Sequence, residues 1–546
     1  MRTRPRPRRT LVAAFTVCAL TLSATACVPE RDDIPSDYIS IFGGEPQNPL
    51  VTTNTNEVNG GEVLRALYTG LVAYDEDGSP YNAVAESIEP NDDSSSFDIT
   101  LKDGWEFTNG EAVTSSSFID AWNYGATAAN AQLGADFFAA IDGYDDVSAE
   151  DSTTSEMSGL TEINDHEFTV DLSEPDASFP TQLGYYAFSP LPEVAFEDMD
   201  SFGEHPIGNG PYMLDGDNAW QHNVSISMKA NPDYAGEDKP KNPGIAFKAY
   251  SDVSTAYADL QSGDLDHMRE DVGPNAYPSF REDFPDSNDD KPYAAIQNFT
   301  IPEDLPGFQT DEEGRLRRAA ISMAIDRQLI VEKVYFDGRQ VAEDFGAPTL
   351  ENGIADVPGK EVLTYQPEKA RELWEKANEI HPYSGDTFQI AYNSDGGHEQ
   401  WVEAVTNSIR QTLDIPASGK AYATFQAQRD AVVDRTVDAA FRSGWNADFP
   451  SISSFLVSNY RTGGGSNDGD YSNPEFDDLL AKAASSPDTD AAQPYYDEAQ
   501  AVLMQDLPQI PLWYYAATTA WNPDLDNVHT NWQGMPVYTE LTKDGE

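Results

Sequence analysis

The chain is nearly without cysteine. Two occur in 546 residues, Cys18 and Cys27, and everything after Cys27 therefore holds no disulfide and no thiolate metal site. Histidine is scarce too: His166, His205, His222, His267, His381, His398 and His529 are scattered without metal-ligand spacing. Positive charge is the third shortage. Lys and Arg number 33 against 94 Asp and Glu, for a net charge of −61. That excludes a nucleic-acid groove, which is built on basic surface, and adhesion to anionic lipid through protein charge. An acidic surface fits instead a soluble, exposed monomer. Catalytic signatures are missing as well: no G-x-S-x-G elbow, no H-E-x-x-H helix, no P-loop. Asp75, Asp77, Ser79 and Glu86 mimic calcium-loop ligands, but Pro80 occupies the position that needs glycine, so the stretch reads as an acidic turn between a helix and a strand. No enzyme, cofactor or metal site is expected.

What is present starts at the N-terminus. Five arginines (Arg2, Arg4, Arg6, Arg8, Arg9) precede an apolar run from Leu11 to Leu22, then small residues lead to Cys27. The run is too short to span a bilayer, and the pattern is that of a secretory signal. Ala24-Thr25-Ala26-Cys27 resembles a bacterial lipobox, which implies cleavage after residue 26 and a lipid on Cys27. Residues 27–37, with two prolines and acidic groups, read as a solvated tether. With the five arginines set aside, the rest of the chain carries −66. The expected location is outside the cytoplasm, on the cell membrane.

The remainder is long enough for more than one packed domain. Alternating apolar runs predict strands at Tyr38–Phe42, Phe97–Leu101, Phe168–Leu172, Val224–Met228 and Phe388–Tyr392. Helical periodicity covers Gly61–Leu71, Ser116–Ala128, Thr255–Gln261, Gly314–Tyr335, Pro367–Glu379, Gln400–Leu413 and Pro474–Ala484. The alternation argues for an α/β class.

An ordered set of short motifs then follows the chain: Gly44-Glu45-Pro46-Gln47-Asn48-Pro49-Leu50, Leu67-Tyr68-Thr69-Gly70-Leu71-Val72, and Leu101 to Gly110. Next come Pro206-Ile207-Gly208-Asn209-Gly210-Pro211-Tyr212, Leu316-Arg317-Arg318-Ala319 and Ala324-Ile325-Asp326-Arg327. Gly444-Trp445-Asn446-Ala447-Asp448, Tyr471 to Asp477 and Ile510-Pro511-Leu512 close the series. In this order they resemble the extracellular solute-binding protein family 5, the oligopeptide and dipeptide receptors of ABC importers. The resemblance implies a type II periplasmic-binding-protein-like fold, with two lobes and an additional inserted domain around a ligand cleft. Mapped here, lobe I would hold 38–78, 197–294 and 516–546, the inserted domain 79–196, and lobe III 295–515. The hinge would lie near Tyr293–Phe299 and Pro511–Tyr515.

The same resemblance assigns ligand contacts. Asp448 would bind a peptide α-ammonium, Trp445 would pack beside the peptide, and Arg442 would meet the carboxylate of a short ligand. His398, six residues after Tyr392, would neighbour the C-terminus of longer ligands, and Val58 would pair through its backbone. Each has a plainer reading: a turn or capping role for Asp448, a core aromatic for Trp445, a surface ion pair for Arg442, a solvated helix-start His398, and a simple glycine-flanked turn at Val58. The expected partners are a short peptide and an ABC permease, with no nucleic acid. The alternative is the same fold holding a nickel chelate, an oligosaccharide, haem or a glutathione-like molecule.

Overall fold

Two long strands organise the molecule. In the computed structural model, which describes residues 34–543 apart from Asn56, Glu150, Glu270, 351–353, Gly385 and the side chain of Asp395, Asn288–Thr300 and Gln509–Trp521 each run 13 residues. The expected signal segment 1–26, Cys27 and the expected tether up to residue 33 lie outside the described residues. The two strands pair antiparallel, and every residue from Tyr293 to Thr300 and from Gln509 to Tyr514 is buried. Neither shows a period of two, because both faces are covered.

Together they join the halves of a mixed 12-stranded sheet. On one side follow Ala440–Asn446, Phe388–Asn393 and Ala417–Tyr422; on the other His267–Met268, Ile39–Gly43, Gly244–Ala249, Ser225–Ala230 and Tyr212–Leu214. The register of the long pair slips between Pro292 and Ile296 and again between Gln297 and Asn298. Such irregularities bend a strand locally and sharpen its twist.

Each half has its own hydrophobic core. The first is built from residues between Ile39 and Phe247, with Leu525 and Leu541, and the second from residues between Phe299 and Trp513. A four-stranded antiparallel sheet, ordered Ala85–Pro90, Ser96–Leu101, Glu167–Asp171, Leu160–Asn164, contributes Phe97, Ile99, Phe168 and Val170 to the first core. Segment 79–196 is thus packed on the same apolar mass as Ile39 and Ile245. A smaller cluster (Ala294, Ile296, Ala447, Phe455, Tyr514 and Trp532 among it) sits where the two long strands cross from one half to the other.

Several sequence motifs turn out to be structural fasteners. Gly208 and Gly210 let their segment pass over the end of helix Val58–Leu67: a Cβ at Gly208 would stand 1.9 Å from the Leu67 oxygen. The Gly210 amide donates to that oxygen, and Asn209 bonds both the N–H and the C=O of Thr69. Arg318 is fully buried and donates to the carbonyls of Phe308 and Leu507 while pairing with Glu303. Arg327, also buried, donates to the Pro511 carbonyl and to both oxygens of Ser322. Burial lowers the two guanidinium groups to about 10 and about 9, so both remain charged at neutral pH.

Three expectations need correction. The helix expected at Gly314–Tyr335 is two, Glu312–Met323 and Arg327–Val334, because the Asp326 carboxylate accepts the Leu329 N–H and starts a new helix. The helix expected at Gly61–Leu71 occupies Val58–Leu67, capped by the Glu57 carboxylate and ended at the extended residue Tyr68. The acidic turn at Asp75–Ser79 joins two strands, Val72–Tyr74 and Pro80–Asn82, rather than a helix and a strand.

Candidate functional site

Ala440–Asn446 is the strand around which the site is built. One edge pairs antiparallel with the long strand, Arg442 opposite Phe299, Ser443 opposite Asn298 and Trp445 opposite Ile296. The other edge pairs with Phe388–Asn393 only at Ala440 and Phe441. Beyond Phe441 no strand among the described residues covers that edge, and Gly444 and Asn446 are exposed. Gly444 is needed there, since a Cβ would come within 2.8 Å of the Ile296 carbonyl.

Asp448 follows the strand. The Ala447 N–H donates to the Ala294 carbonyl at 2.8 Å, and the Gln533 side chain donates to the Ala447 carbonyl at 3.2 Å. Ser454 then fastens both candidate residues, Trp445 and Asp448. Its hydroxyl oxygen accepts the Asp448 N–H at 3.0 Å and the Trp445 indole N–H at 3.4 Å, and its proton points toward the Asp448 carboxylate at 3.5 Å. Asp448 is not the cap of the next helix, Ile452–Tyr460: Ser451 is, through its bond to the Ser453 N–H. Trp445 is half-buried and packs on the cluster at the strand crossing.

Across from Asp448 stand residues of the first core. The Asp448 charge raises the pKa of Tyr74, Tyr185 and Tyr186, on top of the dominant effect of their own burial. The Tyr185 hydroxyl donates to Tyr186 at 2.8 Å, with ring centroids 4.2 Å apart, and Tyr74 packs edge-on against Trp532. The Arg65 guanidinium, from the last turn of Val58–Leu67, lies 5.0 Å above the Tyr186 ring. Burial pushes the Asp448 carboxyl up to about 7, while Arg65 and the Ser454 hydroxyl pull it back toward the ionised form. Asp448 keeps some accessible surface, but protein crowds its carboxylate, and the crowding governs the pKa. A carboxylate in this state gains most from a cationic ligand group.

The other end of the strand carries Arg442 and His398. Arg442 lies 5.6 Å from the centroid of Phe425, a large apolar side chain that is exposed. His398 is buried rather than solvated, at the start of helix Glu399–Leu413. Its Nδ1 accepts the Trp401 indole N–H at 3.0 Å, so its proton sits on Nε2. Burial, then the Arg442 charge, pushes it down to about 3, and it is neutral at pH 7. Val58 is the first residue of a helix, beside amides of Asn59 and Gly60 that Glu57 already satisfies.

The strand therefore brings Arg442, Trp445 and Asp448 along one stretch of chain, with His398 beside Arg442 and Val58 half-buried at the start of its helix. Sequence reading missed Ser454, Arg65, Tyr74, Tyr185 and Tyr186. Only Ser454, six residues past Asp448, was near enough in the chain to be found. Among the described residues no group of three or more His, Cys, Asp or Glu side chains is placed to hold a metal ion, and no helix is long and apolar enough to cross a membrane.

Comparison with known proteins gives consistent matches. The family model for bacterial extracellular solute-binding proteins, family 5, matches residues 79–467. The oligopeptide-binding protein OppA of Bacillus subtilis is 23% identical over 487 residues, covering 87% of this chain and 86% of that one. The periplasmic oligopeptide-binding protein OppA of Salmonella typhimurium is 26% identical over 529 residues, covering 93% of each chain. Among solved structures, OppA of Burkholderia pseudomallei superposes with a TM-score of 0.78 at 19% identity, covering 94% of this chain and all of that one.

Proposed function

The chain belongs to the bacterial extracellular solute-binding proteins of family 5, and from that premise we propose that it captures short peptides by backbone and termini and delivers them to an ABC permease. As a member of that family it is a binding protein of solute transport and not an enzyme.

The observation that carries the peptide reading is the uncovered strand edge between Arg442 and Asp448. An extended peptide adds to such an edge through its amides, which read no side chain. Its two ends need opposite charges, and the edge offers a carboxylate at one end and a guanidinium at the other. Six residues of extended chain separate them, roughly 20 Å at about 3.3 Å per residue. Less the reach of the arginine side chain, that suits ligands of about three to five residues. Asp448 would hold the ammonium, Trp445 would pack against the peptide, and Arg442 with the Nε2–H of His398 would take the carboxylate. Val58 would offer its backbone from the opposite side.

Closure would proceed about the two register slips of the long strands, which lie at Pro292–Asn298 and opposite Pro511–Ala516. A ligand favours the closed state only through contacts it makes with both sides. The division into lobe I (38–78, 197–294, 516–546), inserted domain (79–196) and lobe III (295–515) gives each side its own wall. A lipid on Cys27 would keep the protein, a monomer, at the membrane.

The test is native mass spectrometry of the mature protein purified without denaturation, with release and sequencing of whatever it carries. A mixture of short peptides is expected. A single non-peptide species would overturn the ligand class.

A further inference from the structure

The uncovered edge of Ala440–Asn446 ends at a side chain. Successive residues of a strand offer their main-chain N–H and C=O to opposite edges. The Ala447 N–H donates to the Ala294 carbonyl, on the side of the long strand, so the main-chain groups of Asn446, Gly444 and Arg442 face the other way. No strand lies beside Asn446 or Gly444 among the described residues. At Arg442 the edge is taken: the Gln428 side-chain amide donates to its carbonyl at 3.3 Å.

Gln428 comes from helix Phe425–Val433, which Thr424 caps by accepting the Ala427 N–H. Gln428 and Val432 are the buried residues of this helix, four apart and therefore on one face. Val432 packs with Ala391, Val437, Ala439 and Phe441 in a small apolar cluster. An apolar residue would suit position 428 by the same pattern, yet it holds an amide that is only 2% exposed. The Arg442 carbonyl gives the reason. Pairing with Phe388–Asn393 stops at Phe441, and a main-chain acceptor left without a donor in a half-buried place is costly. Phe425, from the start of the same helix, lies under the Arg442 guanidinium at 5.6 Å. The helix thus meets Arg442 through both its main chain and its side chain.

We propose that Gln428 is a positioning residue that sets the longest ligand the edge accepts. A peptide pairs with Asn446 and Gly444, and its carboxylate stops at Arg442 because the next carbonyl is already bonded. A longer chain has to displace the Gln428 amide or leave the edge at Gly444. The inference rests on the reading in which Asp448 binds the ligand ammonium, since that fixes where the ligand begins.

The test is calorimetric titration with alanine peptides of three, five and seven residues and with N-acetyl-Ala-Ala-Ala, on the unaltered protein and on Gln428→Met. Methionine matches the length of glutamine and has no N–H to donate. In the unaltered protein the seven-residue peptide should bind about tenfold more weakly than the five-residue one, because its carboxylate passes the guanidinium unpaired. In Gln428→Met the Arg442 carbonyl is open to the ligand, and the two should come within about threefold. A merely structural role would instead weaken all lengths alike. Equal affinity for five and seven residues in the unaltered protein, or the same gap in Gln428→Met, would overturn the proposal. Loss of the three-residue peptide in Gln428→Met would assign the residue to the fold alone and overturn it as well. The acetylated peptide separates the two levels: if it loses affinity while length has no effect, the ammonium site stands and only the stop at Gln428 falls. If it binds as tightly as the free peptide, or if no peptide binds, both fall.

Discussion

The backbone N–H of Ala177 donates to the carbonyl of Ala484 at 2.9 Å. Ala177 lies two residues from Phe179 of the first core, and Ala484 ends helix Pro474–Ala484, beside Ala483 of the second. The last carbonyls of a helix lack partners within it, and here one is satisfied from the other side of the cleft. Nearby, a Cβ on Gly78 would come within 3.0 Å of Pro450, so the two sides meet closely at this point.

That bond should hold the closed state. Ala177→Pro removes the donor, and the loss of one hydrogen bond, about 1 kcal/mol, should appear as roughly fivefold faster peptide release with little change in the association rate. Stopped-flow displacement measures both.

Capture should depend on pH through Asp448. Its carboxyl is pushed up to about 7, and only the ionised form pairs with an ammonium. Affinity should therefore fall as pH drops below 7, approaching tenfold per unit, and fall again above about 8 as the peptide amine loses its proton. Tyr74, Tyr185 and Tyr186, raised by burial, stay neutral throughout this range. Titration calorimetry of a neutral tripeptide between pH 5.5 and 9 should give a maximum at roughly 7–8, and Asp448→Asn should flatten the acid limb.

His267 should make the fold acid-sensitive. It is fully buried, stacks on Trp521 with centroids 5.9 Å apart, and burial lowers its pKa to about 3. A folded-state pKa below the unfolded value of about 6.5 means that the unfolded chain takes up the proton first. The stability is then whole above pH 6.5 and is lost as pH falls toward 3. His267→Phe keeps the stacked ring and should recover about 2 kcal/mol at pH 5 relative to pH 7, read from urea midpoints at the two pH values.

Ser454 should matter beyond its size. Ser454→Ala leaves the half-buried Asp448 N–H without its acceptor, a cost of about 1 kcal/mol, and frees the Trp445 indole. Peptide affinity should drop about tenfold while thermal unfolding shifts by only a few degrees, measured by calorimetry and by circular dichroism.

Local elements were readable wherever a side chain announces them. Asn473 and Pro474 mark the start of Pro474–Ala484, which matches its expected bounds residue for residue, because the cap and the proline at the first position act within one turn. The two long strands were not readable as strands: both faces are covered from Tyr293 to Thr300 and from Gln509 to Tyr514, with Gln297, Asn298 and Gln509 buried among the apolar residues, so the period that identifies a half-buried strand is missing. At the site, Arg442, Trp445 and Asp448 share one stretch of chain and were found together. Arg65, Tyr74, Tyr185 and Tyr186 are more than 260 residues from Asp448. Tertiary packing alone brings them to it, and spacing in the chain carries no trace of that.

The central claim is that Asp448 holds the ligand's ammonium. Calorimetric titration of Ala-Ala-Ala and its N-acetyl form, on the unaltered protein and on Asp448→Ala, tests it directly. The account predicts that either change, removal of the ammonium or of its partner, costs about 2–5 kcal/mol, and that the two together cost little more than one. Full affinity for the acetylated peptide, or for the free peptide by Asp448→Ala, would contradict it.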